Sequence, residues 1–224
     1  MKVIAVNGSP RKAWNTATLL QKAIEGAKSV GADAEFIHLY DLDFKGCASC
    51  FACKRKGNKN VGHCAIKDDL TGVLEKILES DVLLMGSPIY FANITGEMQS
   101  FLERLLFSNM TYNGGYGSVF EGKLSSGFIY TMNRQEDVSK MNVPKELAKY
   151  YNYETMCQYY QYRLKAIFNG TSEFLLSADT YQFDDYTKYD ASMYDEKHKA
   201  QVKAERFPID CKNAFDMGAK LASS

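Results

Sequence analysis

Apolar residues recur along this chain with two different periods. Lys2 to Val6, apolar from Val3 onward and with β-branched residues, predicts a strand buried on both faces. The turn residues Asn7-Gly8-Ser9-Pro10 end it. From about Asn15 to Ser29 the period becomes helical. Leu19, Leu20, Ala23, Ile24 and Ala27 share one stripe, and Gly31 lies just beyond. Ala34 to Leu39 predicts a second strand. A second helix opens near Asp68, with Leu70, Val73, Leu74, Ile77 and Leu78 at helical spacing. A third strand at Asp81 to Gly86 and a third helix at Thr95 to Phe107 follow. A loop rich in glycine and tyrosine (Thr111 to Gly122) leads to a fourth strand, Leu124 to Tyr130. Pro144 to Phe168 reads as helical and carries six tyrosines between positions 150 and 162. Ser172 to Ser177 is the fifth strand, and Pro208 to Ala222 the last helix. Strands alternate with helices and no linker interrupts them, so the pattern predicts one α/β domain spanning 1–224. Helical crossovers impose parallel pairing and right-handed connections, and the expected sheet is five-stranded in the order 2-1-3-4-5.

Composition narrows the class. Apolar residues make up 46% of the 224 and charged residues 24%, the mixture of an ordinary globule. Lys plus Arg and Asp plus Glu are 27 each, so no net positive field favours nucleic acid or anionic lipid. Runs such as Val82 to Met85 are too short to span a bilayer, and Val3 to Val6 is too short for a secretory core. The expectation is a cytoplasmic protein with no nucleic-acid or membrane partner. The six cysteines (47, 50, 53, 64, 157 and 211) then read as metal ligands, redox groups or plain thiols and not as disulfides.

In a parallel sheet of this kind ligands bind beyond the carboxyl ends of the strands, beside the point where strand order reverses. Three loops matter there. After the first strand, Gly8 allows a tight turn, and the hydroxyls of Ser9, Thr16 and Thr18 can donate to phosphate oxygens. The helix start adds free N–H groups, and Arg11 adds a full charge. The loop matches neither G-x-G-x-x-G nor G-x-x-x-x-G-K-[ST], so its donors suit a monophosphate; a bare turn with an Asn15 cap is the structural alternative. After the third strand, Pro88, Ile89, Tyr90, Phe91 and Asn93 combine flat apolar surface with polar groups, as the edge of a planar ring requires. Gly117 to Lys123 nearly spells a phosphate loop, but Leu124 stands where Ser or Thr is needed and a strand follows instead of preceding.

Gly8-Ser9-Pro10-Arg11 with Asn15-Thr16, Ser87 to Phe91 with Asn93, and four cysteines followed by Asp68-Asp69 together resemble one family. It is the flavodoxin-like NAD(P)H-dependent FMN reductases, and within them the iron–sulfur flavoproteins. The resemblance covers about residues 2–132. It implies a flavodoxin-like fold and FMN, with the phosphate on Ser9, Arg11, Asn15 and Thr16 and the isoalloxazine along Pro88, Ile89, Tyr90, Phe91 and Asn93. The third loop, Thr131-Met132-Asn133-Arg134, is expected to touch the ring through Thr131 and Asn133. It lacks the glycine usual there. The resemblance also implies NAD(P)H as cosubstrate, an electron acceptor and a homodimer or homotetramer.

Cys47, Cys50 and Cys53 at x2 spacing, with Cys64 after ten further residues, can converge on a [4Fe–4S] cluster. Zinc and metal-free thiols remain alternatives, with His63 beside Cys64 as a second donor type. Three functions are therefore carried forward. The first is an FMN-dependent oxidoreductase. The second is an electron-transfer iron–sulfur flavoprotein served by ferredoxin-like partners. The third is a flavin- or metal-sensing protein that docks through the tyrosine-rich segment of about 140–170, which otherwise reads as core and interface or as a lid over the flavin. His38 reads as structural, and Asp68-Asp69 as helix caps.

Overall fold

The computed structural model describes residues 1–59, 61–114, 117–135, 144, 146 and 149–224. Its strands are β1 (Lys2–Asn7), β2 (Asp33–His38), β3 (Val82–Pro88), β4 (Met110–Thr111), β5 (Gly117–Ser118), β6 (Leu124–Thr131) and β7 (Asn169–Ser177). The helices discussed below are α1 (Asn15–Ser29), α2 (Leu70–Leu78), α3 (Gly96–Asn109), α4 (Tyr153–Phe168), α5 (Glu196–Glu205) and α6 (Phe207–Leu221). The main sheet runs β2-β1-β3-β6-β7 with every pair parallel.

Two further strands raise the count above the expected five. Between the third and fourth strands of the main sheet, β4 and β5 form a separate antiparallel ribbon, two residues to a strand. Such short pairing leaves no periodic trace in sequence. A second departure is α5, which precedes the expected last helix. It lacks an apolar stripe and starts at Asp195, whose carboxylate accepts the Lys197 and His198 N–H groups. Part of the tyrosine-rich segment, residues 136–143, 145, 147 and 148, lies outside the described residues.

Alternation along the strands sends side chains to two cores. Val3, Ala5, Leu84 and Ile129 pack with α1 and α6 on one face. Ile4, Val6, Leu83, Met85 and Phe128 pack with α2, α3 and α4 on the other. The chain thus leaves β1 toward one face and β3 toward the other, although these strands are neighbours in register from Val3↔Val82 to Asn7↔Gly86. A crevice must open between their ends.

Asn7 and His38 are paired at the ends of β1 and β2. The Asn7 amide donates to His38 Nδ1 at 2.9 Å, which requires that nitrogen to carry a lone pair. Burial pushes the His38 pKa below its ordinary 6.5, with Asp41 pulling up and Lys12 pushing down more weakly. The unfolded chain therefore binds more protons just below pH 6.5, and folding stability falls as pH drops through that region. Denaturant titrations of wild type and His38→Gln at neutral and mildly acid pH should show the wild type losing more stability. Equal losses would mean that His38 is not held neutral by the fold.

Candidate active site

The loop after β1 is shaped by close approach. Gly8 donates to the Gly86 carbonyl at 2.8 Å and accepts from Thr95 Oγ1 at 2.7 Å. A Cβ on Gly8 would stand 2.8 Å from Met98 Cβ, so only glycine lets the start of α3 lie against it. Asn7 Oδ1 accepts from Ser9 N, and Ser9 Oγ from Arg11 N, which folds the loop by local side-chain turns. α1 opens at Asn15 with no side-chain cap from Trp14. Its first-turn N–H groups carry the positive end of the helix dipole. Asn15, the cap in the structural alternative, lies inside the first turn, and its amide donates to Tyr181 O at 2.8 Å.

The loop after β3 is strained. Tyr90 and Asn93 exchange backbone hydrogen bonds of 2.7 and 3.0 Å across Phe91 and Ala92. Both bridging residues are left-handed, at φ 50° and 63°. That conformation costs roughly 1–2 kcal/mol for each non-glycine residue. Asn93 Oδ1 secures the turn by accepting from Ile94 N at 2.8 Å, with the Tyr160 hydroxyl 3.2 Å away. Burial pushes the Tyr160 pKa up to about 12, so this phenol stays protonated and able to donate. Phe91 is left fully exposed. Thr95 caps α3 by accepting from Met98 N.

A strap formed by residues 178–182 ties the β1 and β6 loops together. Thr180 donates from both its N–H and its hydroxyl to Met132 O. Tyr181 O accepts from Trp14 Nε1 and Asn15, and Gln182 O accepts from Arg11 Nη1 at 2.6 Å. Asp179, itself left-handed at φ 59°, pairs with the buried Lys199 ammonium, which also donates to Asn133 O. The docking of α5 thereby fixes the β6 loop.

These pieces enclose a cleft of about 460 Å³. Ser9, Arg11, Asn15 and Thr16 line one side, and Pro88, Ile89, Tyr90 and Phe91 another. Thr131 and Asn133 complete the set foreseen from sequence. Thr16 and Thr131 share a buried hydroxyl contact of 2.7 Å. Thr18 and Asn93 are not among the lining residues, because Thr18 lies one turn into α1 and the Asn93 side chain is spent on the turn. Sequence reasoning missed Trp14, Arg134, Thr180 and Gln182. It also left open where the tyrosine-rich segment goes. Tyr151 and Tyr153 line the cleft, Tyr160 is in the core, and Tyr159 and Tyr162 are exposed. Arg11 stacks over the Trp14 ring at 3.8 Å, so its charge stays at the loop although one nitrogen is engaged by Gln182 O.

The cysteine loop sits over α3. Cys47, Cys50, Cys53 and Cys64 all line one small cavity of about 10 Å³. Among the described residues, no three His, Cys, Asp or Glu side chains are close enough to hold a metal ion. Asp68 does accept from Leu70 N, as expected of a cap, but it also forms a two-oxygen pair with Arg104. Asp69 makes no side-chain cap bond and instead accepts from Asp43 N, in the segment after β2. No helix among the described residues is long and apolar enough to cross a membrane.

Comparison with known proteins agrees with this geometry. An iron-sulfur flavoprotein of Archaeoglobus fulgidus is 41% identical over 130 residues, covering 57% of this chain and 60% of that protein. An iron-sulfur flavoprotein of Methanocaldococcus jannaschii is 36% identical over 104 residues, covering 46% and 51%. The chain thus spans about half to three fifths of the length of the curated relatives it matches. Among solved structures, an NAD(P)H:quinone oxidoreductase from Methanothermobacter marburgensis superposes with TM-score 0.67 at 15% identity, covering 99% of this chain and 96% of that one. An azoreductase from Bacillus anthracis gives 0.65 at 14%, covering 98% and 99%. At such identities the likeness establishes the fold alone. The family described as NADPH-dependent FMN reductase matches residues 1–136, which include the β1 and β3 loops, the cysteine loop and most of the residues that line the cleft, and the chain belongs to that family.

Proposed function

We propose that this chain is an FMN-dependent oxidoreductase that takes hydride from NAD(P)H and passes electrons to a small-molecule or protein acceptor. One observation carries the reading: an uncapped helix start, rich in hydroxyls, faces an aromatic, strained loop across a single cleft at the switch point of a parallel sheet. The two ends of FMN ask for those two environments. The phosphate fits the α1 N-terminus, with Ser9 and Thr16 as hydroxyl donors, Asn15 beside them and Arg11 as the charge. The ring fits Pro88, Ile89 and Tyr90, with Thr131 and Asn133 at its polar edge and Tyr151 and Tyr153 beyond. Asn93 acts indirectly by holding the turn, and Thr18 receives no role. When bound, the flavin supplies the hydride and electron chemistry, while the protein orients it and excludes water.

A second reading, an iron–sulfur flavoprotein that transfers electrons to ferredoxin-like partners, is favoured by the cysteine loop. Four thiols lining one cavity are the donor set of a [4Fe–4S] cluster, which spreads its ligands further apart than a single tetrahedral ion does. Cys47, Cys50, Cys53 and Cys64 would hold it.

We also assign the chain to a cytoplasmic homo-oligomer, a dimer or tetramer. Phe91 is fully exposed, and Phe51, Tyr112, Tyr159 and Tyr162 are each more than half exposed beside a groove of about 620 Å³. Aromatic surface of this kind is enriched at interfaces. Light scattering of the FMN-loaded protein should give a multiple of 25.2 kDa; a particle of 25.2 kDa would refute the assignment.

The phosphate reading is tested by ligand discrimination. Arg11→Gln combined with Thr16→Val should weaken FMN binding by about 2 kcal/mol, roughly thirtyfold, through lost charge-assisted hydrogen bonds. Riboflavin, which lacks the phosphate, should bind nearly as before. Equal losses for both ligands in equilibrium dialysis would remove the phosphate from this loop.

A further inference from the structure

The cysteine loop has a weakness as a ligand set, because Cys64 follows Cys53 at a distance and nothing covalent holds it near the other three. Its place is fixed from α3. Arg104 is a fully buried arginine on that helix, and all five of its N–H groups are used. Nε donates to Cys64 Sγ at 2.9 Å. Nη1 donates to Lys45 O at 2.9 Å and Asp68 Oδ2 at 2.8 Å, and Nη2 to Ile66 O at 3.2 Å and Asp68 Oδ1 at 3.3 Å.

One guanidinium therefore grips both ends of the loop, just before Cys47 and on either side of Ile66. Neighbouring residues repeat the pattern. Glu103 accepts from Cys47 N at 3.1 Å, and a Cβ on Gly46 would come within 2.6 Å of that same carboxylate. Lys54, next to Cys53, donates to the last carbonyls of α3, Phe107 and Ser108, and to Met110 beyond them. Rotation of these contacts would swing Cys64 away from the cavity, since its own segment has no regular secondary structure.

We propose that Arg104 is a positioning residue that presents Cys64 as the fourth sulfur of the cysteine cavity and hydrogen-bonds that sulfur, in place of a short tether along the chain. The proposal rests on the cluster reading given above. A donor on a ligating sulfur withdraws charge from it and raises the reduction potential of a cluster. The guanidinium charge beside the sulfur acts in the same direction.

The experiment is anaerobic reconstitution of the FMN-loaded chain with iron salt, sulfide and a thiol, followed by iron and FMN analysis, electron paramagnetic resonance and redox titration. Wild type should hold about four irons per chain. Arg104→Gln should keep FMN but hold about three, with the signal of a three-iron cluster, and should match Cys64→Ala in both respects. Any four-iron fraction in Arg104→Gln should titrate at a lower potential than wild type. Four irons at the wild-type potential in Arg104→Gln would overturn the proposal, as would four irons in Cys64→Ala. If no variant, wild type included, takes up iron, the cluster reading itself fails and the inference falls with it. Should Arg104→Gln lose FMN through misfolding, Asp68→Asn carries the test, because an amide retains the bond from Leu70 N. Its iron should then leave to a chelator several-fold faster than that of wild type, and equal rates would overturn the proposal.

Discussion

The pairing of β1 with β3 governs the rest of the molecule. These strands are parallel neighbours, yet their helices depart to opposite faces, which opens a gap between their carboxyl ends. Two hydrogen bonds on Gly8 close it. Gly8 N–H to Gly86 O and Thr95 Oγ1 to Gly8 O do so, and the first is feasible because Gly8 carries no side chain against Met98. With the two loops fixed 2.8 Å apart at that point, the α1 N-terminus and the Tyr90–Asn93 turn face a common cleft. The surfaces proposed for the phosphate and the ring thus follow from a strand order and one glycine.

Much of this was legible because the strands are continuous apolar runs and the helices have clear stripes. Leu19, Leu20, Ala23, Ile24 and Ala27 point α1 at the sheet, and all five are buried there. The same logic locates Ser9, Arg11 and Thr16, since turn residues after a buried strand lie at its carboxyl end. Other parts were illegible for physical reasons. Thr180 and Gln182 reach the cleft through a strap latched by the Lys199–Asp179 pair, and a long-range ion pair has no local signature. α5 shows its Asp195 cap in sequence but no apolar face, because it docks largely through one buried lysine. In sequence Arg104 is one charged position among the polar residues of α3. Its burial depends on five acceptors supplied by segments far away in sequence.

Strain and satisfaction are distributed unevenly across the site. The turn beside the proposed ring holds two non-glycine residues in the left-handed region, and its supports come from Asn93 and, through Tyr160, from α4. The loop proposed for the phosphate holds no non-glycine residue at positive φ, and it joins local turns at Ser9 and Arg11 to bonds from Arg11, Trp14 and Asn15 to the 178–182 strap. Both loops therefore depend on distant segments, and of the two only the one after β3 carries backbone strain. Phe91, within that turn, is fully exposed.

Trp14 gives the most direct test of the central claim that flavin occupies this cleft. It is the only tryptophan in the chain and it lines the cleft beside Arg11 and Asn15. Titrating FMN into flavin-free protein while exciting the indole selectively should quench its emission in a saturable way, complete at one FMN per chain. Tight FMN binding with unchanged Trp14 emission would place the flavin elsewhere and contradict the account.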